Sequence, residues 1–480
     1  MPHRSQDAQP SHCRVAIIGG GFTGSILAAQ LLRRDTSLSV TLIESASVAG
    51  RGVAYATSCS WHLLNVPAAN MSALPEDPEH FVRWAQLNYD SGTDNEDFLP
   101  RRVYGQYIES ILRQQTQQCP ERFQIVCDEA QSITSANGGA TIRLAGGPSI
   151  SAEQVVLALG NFPPASLRLP GLTPEIVRYL PWAWSVNALE LADLSQEENV
   201  LLIGSGLTSI DLAIALRAHE FSGTIHILSR HGLVPQGHKD GNVLFAKWRT
   251  EFPCSIRELV RLVRKRVEVV RYRGGDWRSV IDSLRPVTAQ IWQSLSPAER
   301  RRFLRHVRAY WDVHRHRIAP AISSQIESEI ASGGIRVHAG RITAYHEEEE
   351  TAVVCYRERT TGNLKELRVG RVINCTGPES DCRKVASPLL QDLLRQGVVR
   401  PDPLFLGIDA AEDGAVIDAA GSKSDVLYTL GPPLKGRLWE SIAVPEIRVQ
   451  IAELAATLTD SEPARSETLE SSAEANLYEV

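Results

Sequence analysis

Gly19, Gly21 and Gly24 stand in the spacing Gly-x-Gly-x-x-Gly. They follow the apolar run Val15-Ala16-Ile17-Ile18 and precede a helical pattern through Ile26, Leu27, Ala29 and Leu31. These residue types at this spacing suit a dinucleotide. Gly19 permits a tight turn, Gly21 lets a pyrophosphate approach the backbone, and Gly24 lets the helix pack closely on the strand. The helix start at Phe22 and Thr23 then turns its unpaired N–H groups toward the phosphates. A second strand, Leu38 to Ile43, ends in Glu44, 25 residues after Gly19, near the usual place for a ribose hydroxyl partner.

A second constellation repeats the first. The strand Asn199 to Ile203 leads into Gly204-Ser205-Gly206-Leu207-Thr208-Ser209, and a helix pattern runs from Ile210 to Ala218. Ser209 replaces the third glycine and is small enough for close packing. The next strand, Thr224 to Leu228, ends at Ser229, again 25 residues after the first glycine, with Arg230 and His231 following. An acid binds a ribose diol and repels a phosphate. Ser229 with Arg230 instead fits the 2′-phosphate of NADPH, with His231 helping when protonated. The bland alternative is a surface basic residue at a strand end.

The elements that hold these turns imply an α/β chain with two dinucleotide-binding Rossmann-type domains. A chain of 480 residues can bury a large core. Its 43% hydrophobic and 22% charged residues are ordinary globular composition, and a net charge of −6 offers no global basic field for nucleic acid. No apolar run approaches the ~20 residues of a membrane span. The eight cysteines form no Cys-x-x-Cys, which argues against a dithiol centre and a zinc ribbon and fits reduced thiols in a cytoplasmic protein. No metal site is expected.

Between the turns, Ala49 to Tyr55 reads as a Gly-rich turn. Trp61 to Ser72 is too polar and Pro-broken for a core helix, so it reads as a loop laid over something. The strand Gln154 to Leu159 ends at Gly160-Asn161. Arg257 to Arg273 and Arg300 to Arg317 are rich in arginine, either as solvated faces or as contacts to a small anionic substrate. The second stretch is preceded by Ser296-Pro297-Ala298-Glu299, a capping box with Pro at the first helical position. Arg371 to Asn374 leads to Cys375-Thr376-Gly377-Pro378, which echoes the turn at Gly160 and makes Thr376 and Gly377 candidate cofactor contacts. The last strand ends at Leu430-Gly431-Pro432, and a helix follows from about Leu438 to Leu454.

These residues resemble flavoproteins with paired FAD and NAD(P)H sites. Gly52-Val53-Ala54-Tyr55, His62 to Ala68, Phe98-Leu99-Pro100-Arg101, Leu228 to Gly232 and Trp439 to Arg448 are similar to a bacterial FAD/NAD(P)-binding family of largely uncharacterised flavoproteins. That family is related to the lysine and ornithine N-hydroxylating flavin monooxygenases. The resemblance implies an FAD domain at 13–195 and 336–457, interrupted by an NADPH domain with a helical insertion at 196–335. The flanks, 1–12 and 458–480, read as a disordered arm and an acidic disordered tail.

It also implies an oxidoreductase, a monooxygenase that forms a C4a-hydroperoxyflavin and oxidises an amino group of a small molecule such as an amino acid or amine. O2 is then a co-substrate. The alternatives are a reductase that passes electrons from NADPH to an acceptor, or a non-catalytic nucleotide-binding module. Gly52, His62, Asn65 and Val66 become flavin-side contacts, Asn65 being the candidate catalytic residue. The segment His62 to Ala68 lies against the isoalloxazine or is a buried structural turn. The N-terminus of the last helix would face the flavin ring. Two departures stand out. Gly431 is followed by Pro432 rather than the Asp of many relatives. The Baeyer–Villiger signature is also absent, with Gly160-Asn161-Phe162-Pro163 in its place.

Overall fold

The computed structural model describes residues 11–136, 138–173, 176–185, 199–239, 248 and 252–460. Most of the arm and most of the acidic tail lie outside the described residues. The first strand begins earlier than the apolar run implies: β1 is Ser11–Ile18, with Ser11 and His12 already paired to Ile150 and Ser151.

The first sheet contains β1, β2 (Val40–Glu44), β3 (Phe123–Cys127), β4 (Ala130–Ala136), β5 (Gly139–Leu144) and β6 (Ser149–Leu157). The strands β7 (Tyr179–Leu180), β8 (Asn199–Ile203), β9 (Thr224–Ser229), β10 (Ile335–Glu348), β11 (Thr351–Glu358), β12 (Leu364–Val369) and β13 (Arg371–Asn374) build a second sheet. The chain then returns to the first sheet through β14 (Ala415–Ile417) and β15 (Lys423–Thr429).

The path of the first sheet is β14-β15-β6-β1-β2-β3, parallel from β15 to β3, with the β4–β5 hairpin added antiparallel to β6. Val15, Ala16 and Ile17 are fully buried, as a strand covered on both faces demands. From β1 the chain builds β2 and β3 on one side and β6 and β15 on the other. The strand ends of β1 and β6 therefore flank a topological switch point, where open α/β sheets bind their ligands. Helix α1 (Phe22–Arg34) covers β1 and packs beneath α2 (Arg101–Gln118).

The second sheet has the order β12-β11-β10-β9-β8-β13-β7, and its switch point lies between β8 and β13. Helix α3 (Leu207–Ala218) follows β8. The sequence-based boundary at 336 moves. The strands from β10 to β13 belong to the second sheet, because β10 continues the parallel ladder from Ile335↔Ile225 to Ala339↔Ser229. The return to the first sheet comes after Asn374.

Three helical details differ from the sequence reading. In the arginine-rich insertion, α4 (Ile256–Tyr272) is followed by α5 (Pro297–His306) and α6 (Arg308–Arg315), so the 300–317 stretch breaks at Val307. The Ser296 hydroxyl accepts from the Glu299 N–H at 3.3 Å, as a capping box requires. Glu299 does not reach back to Ser296. It accepts from the Ile256 N–H at 2.8 Å and caps α4 instead. The last helix, α7 (Val444–Asp460), starts later than Leu438, because Trp439 sits at φ +62° and stacks on Trp292 with ring centres 5.0 Å apart.

Candidate active site

The first glycine turn is closed from below and open above. Gly19 has φ +106°, and a Cβ there would sit 2.3 Å from the Ala158 carbonyl at the end of β6. A Cβ at Gly24 would meet the Gly19 carbonyl at 2.0 Å, so α1 can approach β1 only over glycine. Gly21, at the N-cap of α1, is different: a Cβ there would meet only the Gly52 Cα, at 3.6 Å. Gly52, at φ +54°, faces back toward Gly21. Two glycines from separate segments thus meet backbone to backbone at the wall of the cleft, where no side chain bars the approach of a pyrophosphate. Glu44 is anchored at its rim. It accepts the Gly20 N–H at 2.6 Å and the Ala46 N–H at 2.8 Å.

Above this turn lies a cleft of about 1050 Å³, lined by Gly19, Gly21, Phe22, Thr23, Glu44, Gly52 and His62 among others. That is at the upper end of the ~300–1,000 Å³ of ligand clefts. Gly24 lies beneath it, and its role is packing.

The loop around His62 is the join between the two sheets. His62 is buried; its Nδ1 is 2.7 Å from the Thr57 hydroxyl and its Nε2 is 2.9 Å from the Asp211 carbonyl on α3. Burial lowers its pKa, with Arg101 adding to the effect and Asp211 opposing it. Arg101 lies 2.8 Å from the Asp211 carboxylate, and its own N–H donates to the His62 carbonyl at 2.8 Å. The expected loop therefore has a structural job as well as a cavity-lining one. Asn65 and Val66 do not line the large cleft. They line a second cavity of about 290 Å³, and the Asn65 carbonyl is 2.9 Å from His238 Nε2.

This second cavity lies between the sheets and shares Tyr55, Asn161, Trp182, Trp184, Thr208 and Val444 with the cleft. The start of α7 thus borders both spaces. Leu207 and Gly377 line the second cavity, while Thr376 is exposed and lines neither. Thr376 instead donates its N–H and hydroxyl to Asn374 Oδ1. Tyr55 is pushed up to about 12 by burial, and Cys375, also on the second cavity, up to about 12 for the same reason.

The second glycine turn repeats the first. Gly204 has φ +107°, with a Cβ position 2.5 Å from the Cys375 carbonyl after β13. Gly206 caps α3, and a Cβ there would meet nothing within 4 Å. Ser209 turns the close contact of the third glycine into a hydrogen bond, donating to the Gly204 carbonyl at 2.6 Å. Ser229 is held by Ser205 at 2.8 Å and accepts the Gly232 N–H at 3.0 Å. Arg230 is exposed and makes no ion pair among the described residues. At His231, burial first, then Arg359 and Arg230, lower the pKa, which opposes the protonation that a phosphate contact would use.

Residues 16–162 match a family model described as FAD-NAD(P)-binding. The chain carries an FAD-NAD(P)-binding unit. An uncharacterized protein of Escherichia coli K12, YdhS, is 28% identical over 221 residues, covering 42% of this chain and 39% of that protein. The chain thus spans about two fifths of the length of this curated relative. Among solved structures, an ornithine N-hydroxylase of Kutzneria sp. 744, solved with reduced FAD, NADP+ and L-ornithine, is similar at TM-score 0.64 and 12% identity. The match covers 94% of this chain and 99% of that one. The bacillithiol disulfide reductase Bdr of Staphylococcus aureus is similar at TM-score 0.55 and 12% identity, over 94% and 100% of the two chains. At such identities the likeness concerns the two-domain fold of FAD- and NAD(P)-binding flavoproteins.

The sequence reading missed Trp182 and Trp184, which wall both cavities. They lie after a double-proline break, and no motif marks them. It also missed the Arg101–Asp211 pair, whose partners are 110 positions apart. No group of three or more His, Cys, Asp or Glu residues able to hold a metal occurs among the described residues. No helix among them is long and apolar enough to cross a membrane.

Proposed function

We propose that this chain is an FAD-dependent, NADPH-using monooxygenase that N-hydroxylates a small molecule bearing an amino group. The observation that carries the reading is the second cavity. It is walled by Tyr55, Trp182 and Trp184, adjoins the large cleft, and lies against the start of the second nucleotide unit at Leu207 and Thr208. FAD in the cleft would be held by the Gly21 and Gly52 backbone and the start of α1, with Glu44 at the ribose. NADPH would lie on Gly204, Gly206 and the start of α3, with Ser229 and Arg230 at the adenosine end.

The reduced flavin supplies the oxygen-activating chemistry when bound. The protein positions both cofactors and keeps water from the reaction. Asn65, on the cavity wall, would orient the amine, and the aromatic wall would supply the dry surface. The amine must arrive neutral, because an ammonium has no free electron pair. The likeness to an ornithine N-hydroxylase supports this substrate class. Cys59 and Cys375, the thiols that line the cavities, are both pushed up by burial, and both are free. That disfavours a thiol-based reductase, since the thiolate is the reactive form.

The test is oxygen uptake and NADPH oxidation by the purified yellow protein with a panel of small amines and amino acids. The reading expects uptake that rises with one of them and yields a hydroxylamine. Substrate-independent turnover that needs an added electron acceptor would favour the reductase. No bleaching of the flavin by NADPH would leave a nucleotide-binding module.

A further inference from the structure

Arg230 is not the lone cation at the end of β9. The parallel ladder between β9 and β10 ends with Ser229 opposite Ala339. The Ala339 carbonyl accepts the N–H of Arg359 at 2.8 Å. Gly232, two residues after Arg230, packs against the same Ala339, where a Cβ would stand 3.0 Å from the alanine Cβ. Arg230 and Arg359 are therefore tied through the backbone to one corner of the second sheet, at the carboxyl end of β9, where dinucleotides bind in such sheets.

Arg359 is exposed, and no ion pair holds it among the described residues. Its neighbour Glu358 could have neutralised it, but that carboxylate is engaged by Lys365 at 2.5 Å and by the Thr361 hydroxyl at 2.6 Å. His231, next to Arg230 in the chain, has a buried Nδ1 without a hydrogen-bond partner. Its pKa is depressed in part by both guanidiniums, so their positive fields overlap at this corner. In a chain of net charge −6, two unpaired arginines at one strand end mark a local anion site.

We propose that Arg359 and Arg230 together clamp the 2′-phosphate of the nicotinamide dinucleotide, with Arg359 supplied by the antiparallel turn after β11. The inference rests on the reading of the second unit as an NADPH site. It adds a second residue that determines cofactor choice, one that lies outside the β8–α3–β9 unit.

The test uses the flavin-loaded full-length protein and two probes, 2′,5′-ADP and 5′-AMP, which differ by the 2′-phosphate alone. Titration calorimetry gives both affinities for the wild type, Arg359→Ala, Arg359→Lys and Arg230→Ala. The wild type should bind 2′,5′-ADP the more tightly. Arg359→Ala should weaken 2′,5′-ADP by about ten-fold or more and leave 5′-AMP unchanged, while Arg359→Lys keeps part of the preference. If the wild type prefers 2′,5′-ADP and Arg359→Ala changes nothing, or weakens both probes equally, Arg359 is no part of the clamp and the NADPH reading survives. If the wild type does not distinguish the probes, both the clamp and the NADPH reading fall.

Discussion

Gly19 and Gly204 take φ of +106° and +107°, and a Cβ on either would strike the carbonyl of a residue just past a neighbouring parallel strand, Ala158 at 2.3 Å or Cys375 at 2.5 Å. The helix caps match as well, Gly21 at φ −71°, ψ −167° and Gly206 at φ −84°, ψ −168°. The two turns differ in what finishes them. At the third glycine position, one has Gly24 and the other has Ser209 with its hydroxyl on the Gly204 carbonyl. Opposite the helix cap, one has Gly52 and the other has open space within 4 Å of Gly206. At the end of the second strand, one has Glu44 bonded back to Gly20, and the other has Ser229 followed by the unpaired Arg230. The backbone of the turn suits a pyrophosphate in both units. On the proposed reading, the strand-end charge separates one ligand from the other.

The largest expected effect breaks the two turns separately. Gly21→Val should abolish FAD retention, because the side chain crowds Gly52 and fills the cleft wall that a pyrophosphate would approach. Gly206→Val has room in the protein and should leave flavin content intact while removing NADPH binding. Flavin absorbance of the purified variants and NADPH titration check both. Full flavin in Gly21→Val would refute the assignment of the first turn.

Next is the tie between the units. Arg101 and Asp211 have side chains only 10% and 12% exposed, so Arg101→Ala strands a buried carboxylate. It should cost about 3–5 kcal/mol and be read as a large fall in the melting temperature. A change under about 1 kcal/mol, the scale of an exposed pair, would mean that the join does not depend on this pair.

A swap at the third glycine position sharpens the comparison. Gly24→Ser forces a Cβ toward the Gly19 carbonyl and should destabilise by about 1–3 kcal/mol, as overpacking does. Ser209→Gly loses one hydrogen bond and adds a flexible residue to α3, for about 1–2 kcal/mol. Denaturant unfolding of each variant measures both. A neutral Gly24→Ser would mean that α1 is free to shift and admit the serine.

How much of this was legible follows from the range of each signal. Gly19 to Glu44 and Gly204 to Ser229 were readable because turn, helix start and strand end are local and carry fixed residue types. The sheet membership of β10 to β13 was not, since it depends on pairing across more than 100 residues, as Ala339 with Ser229 shows. The loop motif at His62 was visible as a motif, but its ties to Arg101 and Asp211 come from two later helices, α2 and α3. Asn65 and Val66 were marked as flavin contacts, and the fold sets them on the second cavity, beside the cleft. Trp182 and Trp184 had no local pattern at all.

The smallest expected effect concerns acid. His226 and His238, both in the second half of the comparison, are each held down to about 4, chiefly by burial. Their folded pKa values lie below the unfolded one, so the unfolded chain takes up protons that the fold refuses. Their contribution is full above about pH 6.5 and is lost as pH falls toward about 4, on the order of 1 kcal/mol apiece between about pH 7 and about pH 5. Urea midpoints across that range should fall with pH, and less steeply in His226→Gln. An unchanged slope in that variant would remove His226 from the account.

The central claim is that the strand-end residues decide which cofactor each turn takes. Its direct measurement is the rate of flavin reduction against NADPH and NADH concentration, for the wild type and Arg230→Ala. The account predicts that the wild type prefers NADPH. Arg230→Ala should raise the KM for NADPH by about ten- to a hundred-fold, the worth of a charge-assisted hydrogen bond, and leave NADH nearly unchanged. Equal losses for both cofactors would make Arg230 structural, and a wild type that prefers NADH would contradict the claim.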